Sequence, residues 1–158
     1  MTDRRAEGVR VVREMLPEIA EQMIGPDGEN AMEGQFAGEI GEFALTHAFG
    51  GLWTRPGLDH RARSLVTLGI LIALGAEEEL AIHLDAARRN GLTVGELEEV
   101  VYHATGYVGF PMAGRARAVG RRVLGDDHQG GADLGVSDGC NCKDRGEDVG
   151  DGPAVHGP

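Results

Sequence analysis

The chain of 158 residues contains one lysine, Lys143, and two serines, Ser64 and Ser137. A Schiff-base or pyridoxal mechanism needs an amine in the folded core, so the scarcity of lysine argues against both. Because neither serine lies in a G-x-S-x-G motif, a hydrolase triad is also disfavoured. No glycine-rich phosphate loop follows a predicted strand, so a nucleotide cofactor is not supported. Histidine, carboxylate, arginine and tyrosine side chains remain for chemistry.

Aromatic residues are also scarce. They make up 4% of the chain against 41% hydrophobic residues, a composition typical of a single helical domain rather than a β-sandwich. The net charge of -11 disfavours nucleic acid and anionic membranes as partners. Charged residues and no apolar segment follow Met1, so a signal peptide is not predicted and the cytoplasm is the expected location.

The two cysteines, Cys140 and Cys142, lie in a C-terminal segment rich in glycine and aspartate. This composition predicts a helical domain at residues 1–124 and a disordered acidic tail at residues 125–158. Two cysteines are too few for a closed zinc site, so an oxidisable surface pair is the favoured interpretation.

The clearest helix signals fall between residues 59 and 111. Residues 65–74 are apolar on nearly every face, which predicts a helix that is buried on all sides and too short to span a membrane. Asp59 is its expected N-cap. Arg61 and Arg63 then place cations in the first turn, against the helix dipole, and therefore need an anionic partner.

Two further helices are predicted in this region. The first runs from about Glu77 to Asn90 and places His83 on its buried side, one turn after Glu79. The second begins at a T-x-x-E capping box, which fixes its register. It carries His103 and Tyr107 four residues apart along one edge.

The pattern outside this region is weaker. Residues 4–23 predict a helix that kinks or splits at Pro17. Residues 32–49 have helical spacing up to a pair of glycines that should end the helix, but they contain three glycines that cost about 1 kcal/mol each. Close backbone packing or a substrate cavity is the expected reason. Residues 112–124 predict a last helix whose arginines form a solvated face.

These features carry a resemblance to a known family. The pattern R-x-R-x-L-x-T-L-x-x-L-x-A-L-G-x-x-x-E-L-x-x-H-L-x-x-A-x-x-N-G-x-T-x-x-E-L-x-E-V-x-x-H-x-x-x-Y-x-G-x-P, at residues 61–111, is similar to the γ-carboxymuconolactone decarboxylase family. The preceding FGGLWTRPGLD resembles the turn before the same helix, and the likeness covers roughly residues 5–124. It implies an all-α, alkylhydroperoxidase D-like bundle of about six helices, assembled as a homotrimer or homohexamer.

The resemblance also indicates which branch of the superfamily fits. Alkylhydroperoxidase D proteins carry C-x-x-C followed by histidine on the helix that holds His83 here. Ala76 and Glu79 stand at the two cysteine positions, so a thiol peroxidase is not expected. The implied reaction is the decarboxylation of γ-carboxymuconolactone to the 3-oxoadipate enol-lactone, in aromatic catabolism by the β-ketoadipate pathway. The lactone accepts the electrons, so no cofactor is required.

The candidate residues fall into two groups. Four side chains are candidates for proton handling: His83, Glu79, His103 and Tyr107. Four others are candidates for binding the lactone carboxylic acid: Arg55, Arg61, Arg63 and Trp53. Each has a structural alternative. His83 could be a core histidine with Glu79 as its exposed partner, and His103 and Tyr107 could lie in an oligomer interface. The arginines could form salt bridges with Glu33, Glu39 or Glu42, and Trp53 could serve only in packing. The sequence lacks H-E-x-x-H and E-x-x-H spacing, so a metal is not expected.

Two other functions stay open at this stage. Family members that tailor secondary metabolites act on lactones or polyketide-like acids. A non-catalytic oligomeric protein that binds small molecules would use the same scaffold.

Overall fold

The structure is a computed structural model, and it describes residues 3–125. All regular secondary structure in this part of the chain is helical, and it contains no strand. The elements in chain order are α1 (Arg4–Met15), α2 (Pro17–Met23), α3 (Glu39–Phe43), a π-helix (Ala44–Trp53), α4 (His60–Leu74), α5 (Glu77–Arg89), α6 (Val94–Val108) and α7 (Phe110–Leu124). The all-α prediction is confirmed, and the arrangement is consistent with an alkylhydroperoxidase D-like bundle. The predicted tail beyond Gly125, with both cysteines, lies outside the described residues.

Local signals set the ends of the C-terminal helices as predicted. The Asp59 carboxylate accepts a hydrogen bond of 2.7 Å from the backbone N–H of Ala62 and caps α4. Both bonds of the Thr93 and Glu96 capping box are present at the start of α6. After α5, Gly91 has a φ of 91°, a conformation that favours glycine.

Two hydrophobic clusters form the core of this region. The first joins α1 and α2 to the π-helix, and the second fills the space among α4 to α7. Helix α5 belongs to both, because Ala86 packs in the first cluster and Ala87 packs in the second. A side chain on α5 can therefore meet residues of the π-helix.

The π-helix corrects the prediction for residues 32–49. Turns occupy residues 31–38, where Gly34 has a φ of 79° and Ala37 a φ of 54°, so the helix starts later than predicted. The paired glycines do not end it, since the π-helix continues through both to Trp53. A methyl group on Gly50 would lie 1.8 Å from the carbonyl oxygen of Arg4. Of the three glycines for which close packing was expected, Gly38 is packed in this way, with a methyl group 2.0 Å from the carbonyl oxygen of Met32, whereas Gly34 has open space around it.

Helix α4 is not buried on all sides within one chain, so that prediction is wrong for the monomer. Its buried face includes Leu68 and Ile72, while Ile70 is 54% and Leu74 72% exposed. Helix α4 has more apolar side chains than α5, α6 and α7 can cover. No helix in residues 3–125 is long and apolar enough to cross a membrane.

Candidate active site

Trp53 and His83 stack with their ring centroids 6.4 Å apart and their planes 14° from parallel. Trp53 is the last residue of the π-helix and is only 9% exposed, whereas His83 lies on α5 and is half-buried. Within residues 3–125 the His83 side chain makes no hydrogen bond. An aromatic plane, rather than a polar partner, therefore holds its ring.

Burial lowers the pKa of His83 below its ordinary value of 6.5, and the negative charge of Glu79 opposes this shift. Glu79 is exposed, one turn before His83 on α5. The predicted pairing of these two residues is thus present as a charge effect and not as a hydrogen bond. At neutral pH the imidazole of the free protein is mainly uncharged.

His60 is a third member of this cluster, and the sequence reasoning missed it. Its ring meets the Trp53 ring edge-on, with centroids 5.8 Å apart and planes 75° from parallel. His60 is the first residue of α4, directly after its N-cap. It has no place in the apolar stripe of α4, and its contact with Trp53 appears only in the folded structure, where the loop after the π-helix brings the two rings together.

A cleft of about 900 Å³ opens beside the cluster. Residues of α1, of the end of the π-helix and of the loop before α4 line it, including Arg4, Glu7, Arg10, Trp53, Arg55, Asp59 and His60. Both of its carboxylates are engaged, because Glu7 accepts from Arg10 and Asp59 caps α4. The cleft therefore contains arginine side chains that are not paired with its carboxylates, although the chain as a whole carries a net charge of -11.

Arg63 does not line the cleft but binds the backbone of Arg55, which does. Its Nη2 donates a hydrogen bond of 2.6 Å to the backbone carbonyl of Arg55, while its Nε is buried and has no acceptor among the described residues. Neither arginine forms an ion pair within residues 3–125. The salt bridges with Glu33, Glu39 or Glu42 that the sequence allowed are not formed, and Glu42 pairs with Arg5 instead.

Arg61 has a different environment. It forms an ion pair with Glu96 and donates a hydrogen bond of 2.8 Å to the carbonyl oxygen of Gly91. Hydrogen bonds from Arg61, and then from Thr93, lower the pKa of Glu96 to about 2. The anionic partner expected for the first turn of α4 is therefore Glu96, and Arg61 ties the start of α4 to the start of α6.

His103 and Tyr107 lie beside a separate groove of about 570 Å³ between α4 and α6. Their ring centroids are 5.0 Å apart, and both side chains are exposed. Arg61 and Leu65 line this groove too, but none of its residues lines the cleft beside Trp53. A single chain therefore separates the predicted site residues into two groups.

A third cavity, of about 290 Å³, lies among α4 to α7. It is lined mainly by apolar side chains and contains none of the predicted site residues, so we assign no chemistry to it. Among residues 3–125, no three histidine, cysteine or acidic side chains are grouped as a metal site requires.

Comparisons with known proteins agree with this architecture. The sequence profile of the Carboxymuconolactone decarboxylase family matches residues 38–122. A 4-carboxymuconolactone decarboxylase from Acinetobacter baylyi is 37% identical over 123 residues, covering 78% of this chain and 88% of that protein. A nitrosuccinic acid decarboxylase from Metarhizium robertsii is 36% identical over 121 residues, covering 76% and 80% respectively. The matched regions contain α4 to α6 with the Trp53 and His83 pair, and the chain belongs to the carboxymuconolactone decarboxylase family.

Proposed function

We propose that this protein is a cofactor-independent decarboxylase of γ-carboxymuconolactone or of a closely related lactone acid. The observation that carries the proposal is the 37% identity with a 4-carboxymuconolactone decarboxylase over most of both chains. The cleft supports it, because Arg55 lines it without an ion pair within residues 3–125, as an anionic substrate requires. Trp53 connects the cleft to His83, which stacks on the indole but is not among the lining residues.

The substrate supplies its own electron sink. When the bond to the departing carboxylate breaks, its electron pair moves through the ring double bond to the lactone carbonyl, and carbon dioxide leaves. A proton added to the ring carbon next to the carbonyl completes the enol-lactone. The protein has to bind the charged groups, stabilise the negative charge on the carbonyl oxygen, and deliver that proton.

The cleft residues suit these tasks. Arg55 offers a cation for a carboxylate, and Trp53 provides an apolar wall that disfavours charge on the departing carboxylate. His83 is the proposed acid, held against Trp53 and influenced by Glu79. Since burial lowers its pKa, His83 must gain its proton when the anionic substrate binds, because a nearby negative charge favours the protonated ring. His103 and Tyr107 remain alternatives only if another subunit brings them to the cleft.

Carbon dioxide release from γ-carboxymuconolactone tests the proposal directly. The expected result is turnover by the purified protein without added metal or cofactor. Tight binding of the lactone without carbon dioxide release would instead identify a binding protein and refute the enzymatic proposal.

A second candidate substrate follows from the relative that decarboxylates nitrosuccinic acid. Both acids are succinic acids with an electron sink at the carbon that loses carbon dioxide: a nitro group in one, and an unsaturated lactone in the other. Each keeps a carboxymethyl arm after the reaction. Nitrosuccinate therefore belongs beside γ-carboxymuconolactone in the substrate test, and preference for it would favour a tailoring enzyme.

We also propose that the protein is a homotrimer or homohexamer. The supporting observation is the apolar surface of α4 with its neighbours on α6 and α7, where Leu74 is 72%, Tyr107 80% and Phe110 83% exposed. Such a surface is typical of an interface that another subunit covers. Light scattering of a folded monomer at micromolar concentration would contradict this. The cytoplasmic location also stays a prediction.

A further inference from the structure

The cleft beside Trp53 contains two cationic or hydrogen-bonding side chains that the proton transfer does not use. Arg55 and His60 both line it, and His60 contacts the indole of Trp53 edge-on, whereas His83 stacks on it. The Arg55 side chain has no hydrogen bond or ion pair within residues 3–125. Glu7 is paired with Arg10, and Asp59 caps α4 and forms no ion pair with Arg55 within these residues.

The backbone at Arg55 is fixed rather than loose. Arg63 on α4 donates to its carbonyl oxygen at 2.6 Å, and that bond connects the loop after the π-helix to the first turn of α4. His60 belongs to the same turn of α4. Both residues thus line the cleft from backbone that is connected through Arg63, and Arg63 is a positioning residue for the backbone of Arg55.

We propose that His60, together with Arg55, binds the carboxylate that the substrate keeps, on its carboxymethyl arm. This inference rests on the proposed function and makes His60 a residue that determines specificity for 1,4-dicarboxylic acids. An imidazole N–H donates a hydrogen bond to a carboxylate whether the ring is neutral or charged, and a guanidinium adds one or two more. With the arm held there, the departing carboxylate faces Trp53, the residue on which His83 stacks.

The kinetic test uses His60→Ala and His60→Gln, with His47→Ala as the matched control. His47 is an exposed histidine on the π-helix, against Phe43 and outside the cleft. With γ-carboxymuconolactone, His60→Ala should raise KM about tenfold or more and leave kcat within a few fold, the size expected for losing one hydrogen bond to a charged group. His60→Gln retains an N–H donor and should recover part of the loss.

An analogue whose arm ends in a carboxamide shows whether the effect belongs to that carboxylate. His60→Ala should cost much less with the amide than with the acid, because the bond that His60 makes to the charged oxygen is already absent. Equal losses with both compounds would show that His60 acts only by supporting Trp53, and would overturn the inference. A fall in kcat at unchanged KM would overturn it too.

Calorimetry with succinate separates this inference from the proposed function, because succinate carries the arm and does not react. The wild-type protein should bind succinate, His60→Ala and Arg55→Ala should each weaken binding about tenfold, and His47→Ala should not. Absence of carbon dioxide release with this pattern intact would refute the decarboxylase and keep the carboxylate site. Failure of the wild type to bind succinate, or equal binding by all four proteins, would refute the site.

Discussion

Replacing His83 by glutamine is the most direct test of the proposed acid. Glutamine keeps much of the volume and an N–H group but has no titratable ring. General acid catalysis contributes roughly 10² to 10⁴ in rate, so kcat should fall within that range. His83 makes no hydrogen bond within residues 3–125, so no buried partner is left unsatisfied. The structural loss is mainly the stacking on Trp53, about 0.5 to 1.5 kcal/mol, which is a Tm change of a few degrees.

The pH dependence of stability and of kcat/KM, compared between the wild type and His83→Gln, gives a second readout. Burial lowers the pKa of His83 in the folded state below the ordinary 6.5, so folding favours the neutral ring. The contribution of His83 to stability is therefore complete above pH 6.5 and is lost as the pH falls through the folded pKa. His83→Gln should lack this acid-side loss. If the protonated ring is the acid, kcat/KM of the wild type should rise as the pH falls through that same pKa.

The measurement is kcat and kcat/KM with γ-carboxymuconolactone between pH 5 and pH 8 on roughly half-unit steps, beside thermal melts under the same conditions. Near-normal kcat in His83→Gln would remove His83 from the mechanism and transfer the proton to Tyr107 or His103. A large fall in Tm with an unchanged kcat would show that His83 is only a structural residue.

Four further predictions concern the scaffold and the excluded chemistry. Gly50→Ala should destabilise the protein by about 1 to 3 kcal/mol in chemical denaturation, since its methyl group would meet the carbonyl of Arg4, whereas Gly114→Ala, with open space around it, should not. Thr93→Ala should cost about 1 kcal/mol through the lost cap of α6; a change within error would refute that role. Because the pKa of Glu96 is about 2, the stability from its ion pair should persist above pH 4.5 and disappear as the pH falls toward 2, a trend that Glu96→Gln should remove from acid melts. Thiol-dependent peroxide consumption should be absent, and its detection would contradict the assignment to the decarboxylase branch.

The parts of the fold that were predicted correctly are those with local causes. A cap such as Asp59 and the Thr93 and Glu96 box each act within one helical turn, so sequence alone shows them. The split at Pro17 is local as well, because proline cannot donate the bond that would continue α1.

The π-helix could not be predicted in this way. Its Gly50 is explained by α1, whose backbone lies against it: a methyl group on Gly50 would lie 1.8 Å from the carbonyl oxygen of Arg4. Spacing within residues 32–49 contains no information about that neighbour. The pattern therefore predicted an ordinary helix that stops at the paired glycines, two residues before Trp53.

The candidate site shows the same limit. His83 was identifiable from its place on α5 and from the family pattern, but its partner Trp53 is thirty positions earlier in the chain and was assigned mainly to packing. Arg61 and Glu96 are thirty-five residues apart, so their ion pair is invisible to helical spacing. His60 was missed because neither periodicity nor the pattern of the resemblance includes it.

The structure assigns two different kinds of surface to the residues that the sequence treated as one site. The cleft beside Trp53 has arginine and histidine side chains whose hydrogen-bonding capacity is not used within residues 3–125, and this suits a small acid. The groove with His103 and Tyr107 is mainly apolar, and its one arginine is already neutralised by Glu96. Covering this groove with another protein surface buries apolar area and is favourable. A dianion bound there would be buried without a cation to pair with, which is unfavourable. The chemistry proposed for the cleft and the assembly proposed for the groove therefore use different surfaces of the chain and do not compete.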